Sequence, residues 1–285
     1  QYLSLFIPGI NRVSWLYETL GDHSGLTGEK LYLNLGYWKD EPSSLDEASD
    51  ALADLLAQSA DLGPDHIVLD VGFGFGEQDL YWLKHYQVKK IFGLNISSFQ
   101  INHTKNRLQA LKIPFSKFHI QEGNATAIPF HHSTFDIVFG LETAMHFRTR
   151  NQFLKEAFRV LKPGGKLVLA DICGRRHLKL SHYIYRFFVC QFWQIPYSNL
   201  YSIKQYHHYL KKTGFIDTSV HSISKHTFVG FFEFAKKSLP ASFFQRFSLI
   251  YRWLLKFIFF YTDPGKDIPL DYVLVVAQKP SSDLH

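Results

Sequence analysis

Apolar positions alternate between two periods along the chain. Over 44–60, Leu45, Ala48, Ala51, Leu52, Leu55 and Leu56 recur at helical spacing, with Ser43 or Ser44 available as the cap. The run "HIVLDVG" that follows is short and continuously apolar, the pattern of a strand buried on both faces. The alternation then repeats. A helix through 80–84 precedes the strand "KKIFGLNIS", and a helix over about 98–111, stopped by Pro114, precedes the strand "FSKFHIQEG". "FDIVFGLE" reads as a strand and 151–161 as an amphipathic helix, which Lys162-Pro163-Gly164-Gly165 turns into the strand "KLVLADI". Further on, "SIKQYHHYLKKTGF" reads as a helix ending at Gly214, and "DTSVHSIS" and "DYVLVVAQK" as strands. Strands and helices alternating at this pitch predict right-handed βαβ units. The fold class expected is α/β: a Rossmann-like, seven-stranded, mostly parallel sheet with helices on both faces.

Segments rich in aromatics depart from this rhythm. They are the N-terminal stretch leading into "LYLNLGYW", then "HYIYRFFVCQFWQIPY" after the fifth strand, and "FFQRFSLIYRWLLKFIFFY" before the last. The expected organisation is an N-terminal cap over 1–42, a catalytic domain over 43–279 with helical lid insertions at about 174–200 and 228–264, and a tail over 280–285. On a helical wheel of 243–261, Phe247, Ile250, Leu254, Phe257, Ile258 and Tyr261 share one face, opposite Gln245, Arg246, Ser248, Arg252 and Lys256. Such a face can pack on the domain, lie on an anionic membrane or meet a second subunit.

Chemistry enters at "VLDVGFGFGEQDL". A dinucleotide site wants G-x-G-x-x-G, so that pyrophosphate meets a helix N-terminus. Here Gly72, Gly74 and Gly76 are spaced G-x-G-x-G, Glu77 stands where the third glycine would be, and Asp70 precedes the turn. Carboxylates there repel pyrophosphate and suit a cationic ligand without phosphate, as S-adenosylmethionine (SAM) is. No Gly-Lys-Ser/Thr follows, so the Walker pattern is absent.

From 68 to 172 the motifs "LDVGFGFG", "GLNIS", "EGNATAIPF", "FDIVFGLETAMHF" and "RVLKPGGKLVLAD" resemble, in order, those of the class I SAM-dependent methyltransferases. The resemblance implies that SAM is the cofactor and S-adenosylhomocysteine the product. It implies that backbone at the glycines approaches the cofactor and that Asp70 supports its amino-acid end. Asn95 stands where the family usually has an acid that bridges the ribose hydroxyls. Ile96 would lie against the adenine, and Gln100 would reach the ribose. Asn124, where an Asp is common, and Ala125 would border the adenine. Gly164 and Gly165 read as a turn, and Asp136 as support for the sheet. The layout "LYLNLGYW … LDVGFGFG … GLNIS … LETAMHF" most resembles the branch with erythromycin O-methyltransferases and tocopherol, sterol or prenyl C-methyltransferases. That branch implies a small lipophilic acceptor, an isoprenoid, polyketide or similar natural product, methylated on oxygen or carbon, with coupled cyclisation in some terpene-directed relatives.

A hydroxyl or activated carbon needs a base, which an amine hardly does. Glu142 and His146, at the mouth of the fourth strand, and Asp171, ending the fifth, are the candidates; Glu142 also falls where the cofactor is bordered. Tyr32, Tyr37, Trp38, Tyr185, Phe188, Phe192 and Trp193 are the expected acceptor pocket. The other histidines (His131, His132, His207, His208) form no metal triad, and no metal is expected. Cys173 and Cys190 lack ligand or disulfide spacing, which points to a reducing compartment, the cytoplasm. Net charge is +6, which permits an anionic partner. The basic residues are scattered among apolar ones rather than gathered in a stripe, which disfavours nucleic acid. A homodimer and peripheral membrane contact through 243–261 stay open, as do a membrane-associated lipid or quinone methyltransferase and a binding protein on an inactive methyltransferase fold.

Overall fold

The computed structural model describes residues 28–175, 180–238 and 267–281, with 252, 253, 256, 263 and 265; within 180–192 the side chains of 180, 181, 184, 188 and 192 are outside the description. Residues 1–27 of the cap expected over 1–42, and most of 243–261, therefore lie outside the described residues.

Ser44 caps α1 (Leu45–Ala60) by accepting from Glu47 N, and Asp61 ends it in a left-handed conformation. There follow β1 (Ile67–Val71), α2 (Glu77–His85), β2 (Lys90–Asn95), α3 (Ser98–Ala110), β3 (Phe118–Glu122) and β4 (Phe135–Leu141). After a 3-10 turn at Ala144–His146 come α4 (Arg150–Val160) and β5 (Leu161–Gly174). The aromatic insertion forms α5 (Leu180–Phe192) and a second 3-10 turn, Tyr197–Asn199. The chain closes with α6 (Ile203–Thr213), β6 (Ile216–Ser222), α7 (Phe228–Ser238) and β7 (Leu270–Gln278).

The seven strands run in the order β3-β2-β1-β4-β5-β7-β6. All neighbours are parallel except β7, which is antiparallel to both β5 and β6. Alternate strand residues feed two apolar layers. Val68, Ile91, Ile137 and Val168 pack with α1 and Trp82 of α2 on one face. Leu69, Val138, Leu167 and Val275 pack with Phe153 and Leu154 of α4 and Tyr206 of α6 on the other. A sheet covered on both faces exposes ligand-binding groups only at its ends, and here the reversal of strand order between β1 and β4 opens a crevice at the strands' C-terminal edge. Asp136 lies away from that edge. It accepts from Ile67 N at 2.8 Å and pairs with Lys162 Nζ at 2.8 Å, the expected sheet support. Among the described residues, no helix is long and apolar enough to cross a membrane.

Candidate active site

The crevice holds a cavity of about 280 Å³ lined from three sides. Val71, Gly72 and Gly74 come from the turn after β1; Leu94, Asn95, Ile96, Ser97 and Gln100 from the end of β2 and the start of α3; Gly123, Asn124 and Ala125 from beyond β3. Leu141, Glu142, Thr143, His146, Phe147 and Arg148 from beyond β4 complete it, with Leu33 of the N-terminal stretch.

The glycines divide by role. Gly72 has φ +80° and borders the cavity, and a Cβ there would collide with Thr143, 2.7 Å from its Cβ. Gly74, at φ +57°, meets only Leu33 Cδ1, at 3.8 Å, so its face toward the cavity is open. Gly76 is backed by Thr104 and Phe118, and it does not line the cavity. It allows the chain to enter α2 at φ +78°.

Beneath the turn, Asp70 and Asp79 are fully buried. Gln78 Nε2 donates to Asp70 Oδ2 at 2.9 Å, and the Asp70 and Asp79 carboxyls are paired with each other, the remaining oxygens having no other partner. Burial raises the pKa of both carboxyls, and for Asp79 the charge of Asp70 adds to it, so the pair retains a proton near neutrality. Glu77 is turned elsewhere. It accepts from Leu31 N at 2.8 Å and forms a two-pronged ion pair with Arg107, whose Nη2 lies 3.0 Å from Oε2. Its charge is therefore compensated, and the carboxyl beneath the turn that disfavours phosphate is Asp70.

Asn95 Nδ2 donates to Gln100 Oε1 at 2.8 Å, and its Oδ1 accepts from Ser97 N at 3.1 Å. The amides thus lock each other at the cavity wall and leave the Gln100 NH₂ as a donor end. Asn124 Oδ1 accepts from both Thr126 N and Thr126 Oγ1 at 2.9 Å, which uses both lone pairs and leaves its NH₂ as a donor end.

On the opposite wall, Glu142 sits at φ +51°. Its Oε1 accepts from Leu35 N and from Tyr272 Oη, both at 2.7 Å. Burial pushes its carboxyl up to about 7 against the pull of those two donors. His146 Nδ1 lies 3.5 Å from Gln194 O. A carbonyl only accepts, so that contact selects the Nδ1–H tautomer and makes Nε2 the basic nitrogen. Burial, aided by the Arg150 charge, lowers the imidazole to about 4, so it is neutral at physiological pH.

Asp171 does not belong to the cavity, and its expected role as a base is corrected. It is fully buried, Oδ1 accepts from Ile172 N at 2.8 Å, and Oδ2 accepts from Tyr206 Oη at 2.8 Å and forms an ion pair with Arg150, 2.9 Å from Nε. Arg150 reaches it from the first residue of α4. None of the described aromatics expected around the acceptor lines this cavity, which is the one bordered by the cofactor motifs. Tyr32 Oη donates to Asp50 Oδ1 at 2.7 Å. Tyr37 meets the edge of His226, and Trp38 lies on Phe234 of α7 at 4.9 Å. Tyr185 and Trp193 are partly buried against the core. The side chains of Phe188 and Phe192 lie outside the described residues. Aromatic patterning signals burial without telling a sheet from a ligand.

The residues missed from the sequence include Leu33, Thr143 and Arg148. Ser97 had a readable signal, as the cap of α3, three residues before Gln100.

The donor set fits SAM. Amides of Asn95, Gln100 and Asn124 line the cavity beside an apolar slot of Leu94, Ile96 and Ala125. The Glu142 carboxyl also lines it, and Asp70, which does not, is buried in β1 beneath the open glycine turn. Comparison with known proteins agrees. Residues 69–169 match the family described as a methyltransferase domain. The erythromycin 3''-O-methyltransferase of Saccharopolyspora erythraea is 30% identical over 95% of this chain and 91% of its own. The 27-O-demethylrifamycin SV methyltransferase of Amycolatopsis mediterranei is 32% identical over 58% of this chain and 59% of its own. Among solved structures, geranyl diphosphate C-methyltransferase from Streptomyces coelicolor, in complex with Mg²⁺, geranyl diphosphate and S-adenosyl-L-homocysteine, superposes with a TM-score of 0.70. That match has 17% identity and covers 95% of this chain and 99% of that one.

Proposed function

The chain belongs to the class I SAM-dependent methyltransferases, and from that premise we propose that it methylates a hydroxyl of a small, lipophilic natural product. SAM, when bound, supplies a methyl group on a sulfonium that the acceptor oxygen displaces directly. Gly72 and Gly74 let the backbone approach that cofactor, Gln100 and Asn95 orient the ribose, and Asn124, Ala125 and Ile96 border the adenine. Asp70 and Glu142 favour its cationic end. His146 takes the hydroxyl proton at Nε2, and the apolar wall of Leu33, Leu141 and Phe147 keeps water from competing.

The observation that carries this reading is His146: a buried imidazole in the cavity wall whose Nδ1 faces Gln194 O, with Nε2 as its acceptor nitrogen. Amine transfer would not need such a group. The relative named as erythromycin 3''-O-methyltransferase supports oxygen over carbon, and the apolar cavity walls support a lipophilic acceptor. Incubation with SAM and a panel of macrolide and polyketide alcohols, phenols and prenyl diphosphates tests it, following S-adenosylhomocysteine release and the mass of the product. A methyl ether from an alcohol or phenol is expected. Turnover confined to prenyl diphosphates or amines would overturn the oxygen assignment.

A further inference from the structure

His146 does not hold its own place. It ends a single 3-10 turn, Ala144–His146, which has little hydrogen bonding of its own. The carbonyls on either side of it, Met145 O and Phe147 O, both accept from one side chain, Asn199 Nδ2, at 2.8 Å each. Asn199 is fully buried in the 3-10 turn beyond α5. Its other atoms are held from the far side: Oδ1 accepts from Arg150 N at 3.2 Å, and the backbone O from Arg150 Nη1 at 2.8 Å. Arg150 is itself pinned by Asp171, by Ile172 O at 2.6 Å and by the rings of Tyr201 and Tyr206 at 4.8 and 4.9 Å. Gln194, whose carbonyl faces the imidazole, belongs to the same stretch. The segment after α5 therefore grips the ring and both peptide groups beside it.

We propose that Asn199 is a positioning residue that couples the docking of 194–199 to the placement of His146. Proton acceptance is then available only while that segment sits on the turn. The proposal rests on the assignment of His146 as the proton acceptor. Water can satisfy two carbonyls as well as an amide can, so what the buried Asn199 adds is geometry. A displacement of the base by about 1 Å costs on the order of a hundredfold in rate.

The test compares Asn199→Asp, which keeps size and the acceptor for Arg150 N but loses both donors, with Asn199→Ser. The readouts are kcat and KM, SAM affinity by calorimetry, and the ¹⁵N resonances of His146, identified by their loss in His146→Gln. We expect kcat to fall about 30- to 100-fold with a smaller change in acceptor KM, and SAM affinity to stay within about threefold. The His146 resonances should shift, and the acid limb of the rate should move up toward the ordinary imidazole value. Trp82→Phe, a core change remote from the turn, should leave both kcat and the resonances in place. A folded Asn199→Asp with unchanged kcat and unchanged resonances overturns the proposal. If neither Asn199 variant folds, hydrogen exchange in the wild-type protein decides: amides of 143–149 and 194–201 opening together support coupling, and independent opening overturns it. The two assignments fail differently. Wild-type turnover in His146→Gln with shifted resonances in Asn199→Asp removes the base and leaves the coupling. Lost turnover in His146→Gln with unmoved resonances in Asn199→Asp does the reverse.

Discussion

The two walls of the cavity are made by different means. On the glycine-turn side, partners are near in sequence: Gln78 reaches Asp70 across 8 residues, Asn95 reaches Gln100 across 5, and Asn124 holds Thr126 across 2. On the His146 side they are remote. Glu142 is held by Leu35 across 107 residues and by Tyr272 across 130, and the His146 turn by Asn199 across 52 and 54. A wall made locally is shaped as soon as its strand–turn–helix unit forms. A wall made remotely exists only in the assembled molecule, and its geometry follows whichever segments are docked on it. The first suits a cofactor shared by a whole family, and the second an acceptor that differs between members.

Breaking the remote wall at its chemical centre should have the largest effect. His146→Gln is expected to lower kcat for a hydroxyl acceptor by about 10²–10⁴-fold, while SAM affinity measured by calorimetry changes little. Equal losses in both would merge the two walls into one unit. Next comes the support beneath that wall. Arg150→Met strands Asp171 without its cation, and urea unfolding should show a loss of about 3–5 kcal/mol. A near-neutral result would mean that Asp171 becomes protonated or hydrated at little cost.

Glu142 gives the comparison a pH dependence. Its carboxyl is pushed up to about 7 from an ordinary 4.5. A carboxyl with a raised folded pKa contributes stability that is full below the unfolded value and is lost as pH rises through the folded one. Glu142→Gln does not titrate, so the variant should gain on the wild type by up to about 3 kcal/mol between pH 4.5 and 8, read by chemical denaturation. A constant difference across that range would place the carboxylate in a compensated environment. The smallest effect belongs to the local wall. Gln100→Ala removes one neutral hydrogen-bond partner of Asn95 and one ribose donor, and it should weaken SAM about fivefold, roughly 1 kcal/mol, with kcat retained. A loss in kcat as large as that of His146→Gln would show that the walls are not separable.

Legibility follows the same division. β1, β2 and β4 fall within a residue or two of the expected strands, because short apolar runs bounded by glycine, proline or asparagine leave few alternatives. β5 starts at Leu161, ahead of the expected Lys166, because the Pro163–Gly165 stretch is carried into the strand with a register shift against β4. α2 covers Glu77–His85 rather than 80–84, since Gly76 already admits helical geometry there. Of the residues named from their motifs, Gly72, Gly74, Asn95, Ile96, Gln100, Asn124 and Ala125 line the cavity, whereas Asp70 and Gly76 do not. Asp171 read as a base because the fifth strand was expected to end there, but β5 runs on to Gly174 and the side chain faces Arg150 within the strand. Tyr32 and Trp38 were read as pocket residues without the partners the fold gives them, Asp50 and Phe234 of α7.

Periodicity, turn residues and motif order act over a few residues, so the amino-acid string alone carried the sheet, the glycine turn and the cofactor side of the cavity. Those features depend on backbone conformations and hydrogen bonds that neighbours in sequence dictate. Folding was needed to bring Leu35 and Tyr272 to one oxygen of Glu142, to seat Arg150 between Asp171 and two tyrosines, and to lay Asn199 across the turn that carries His146. No local pattern encodes which of many buried polar groups will meet across 50 to 130 residues. Those pairings arise because, once the sheet is covered, each buried donor and acceptor must find a partner among the groups the packing brings near.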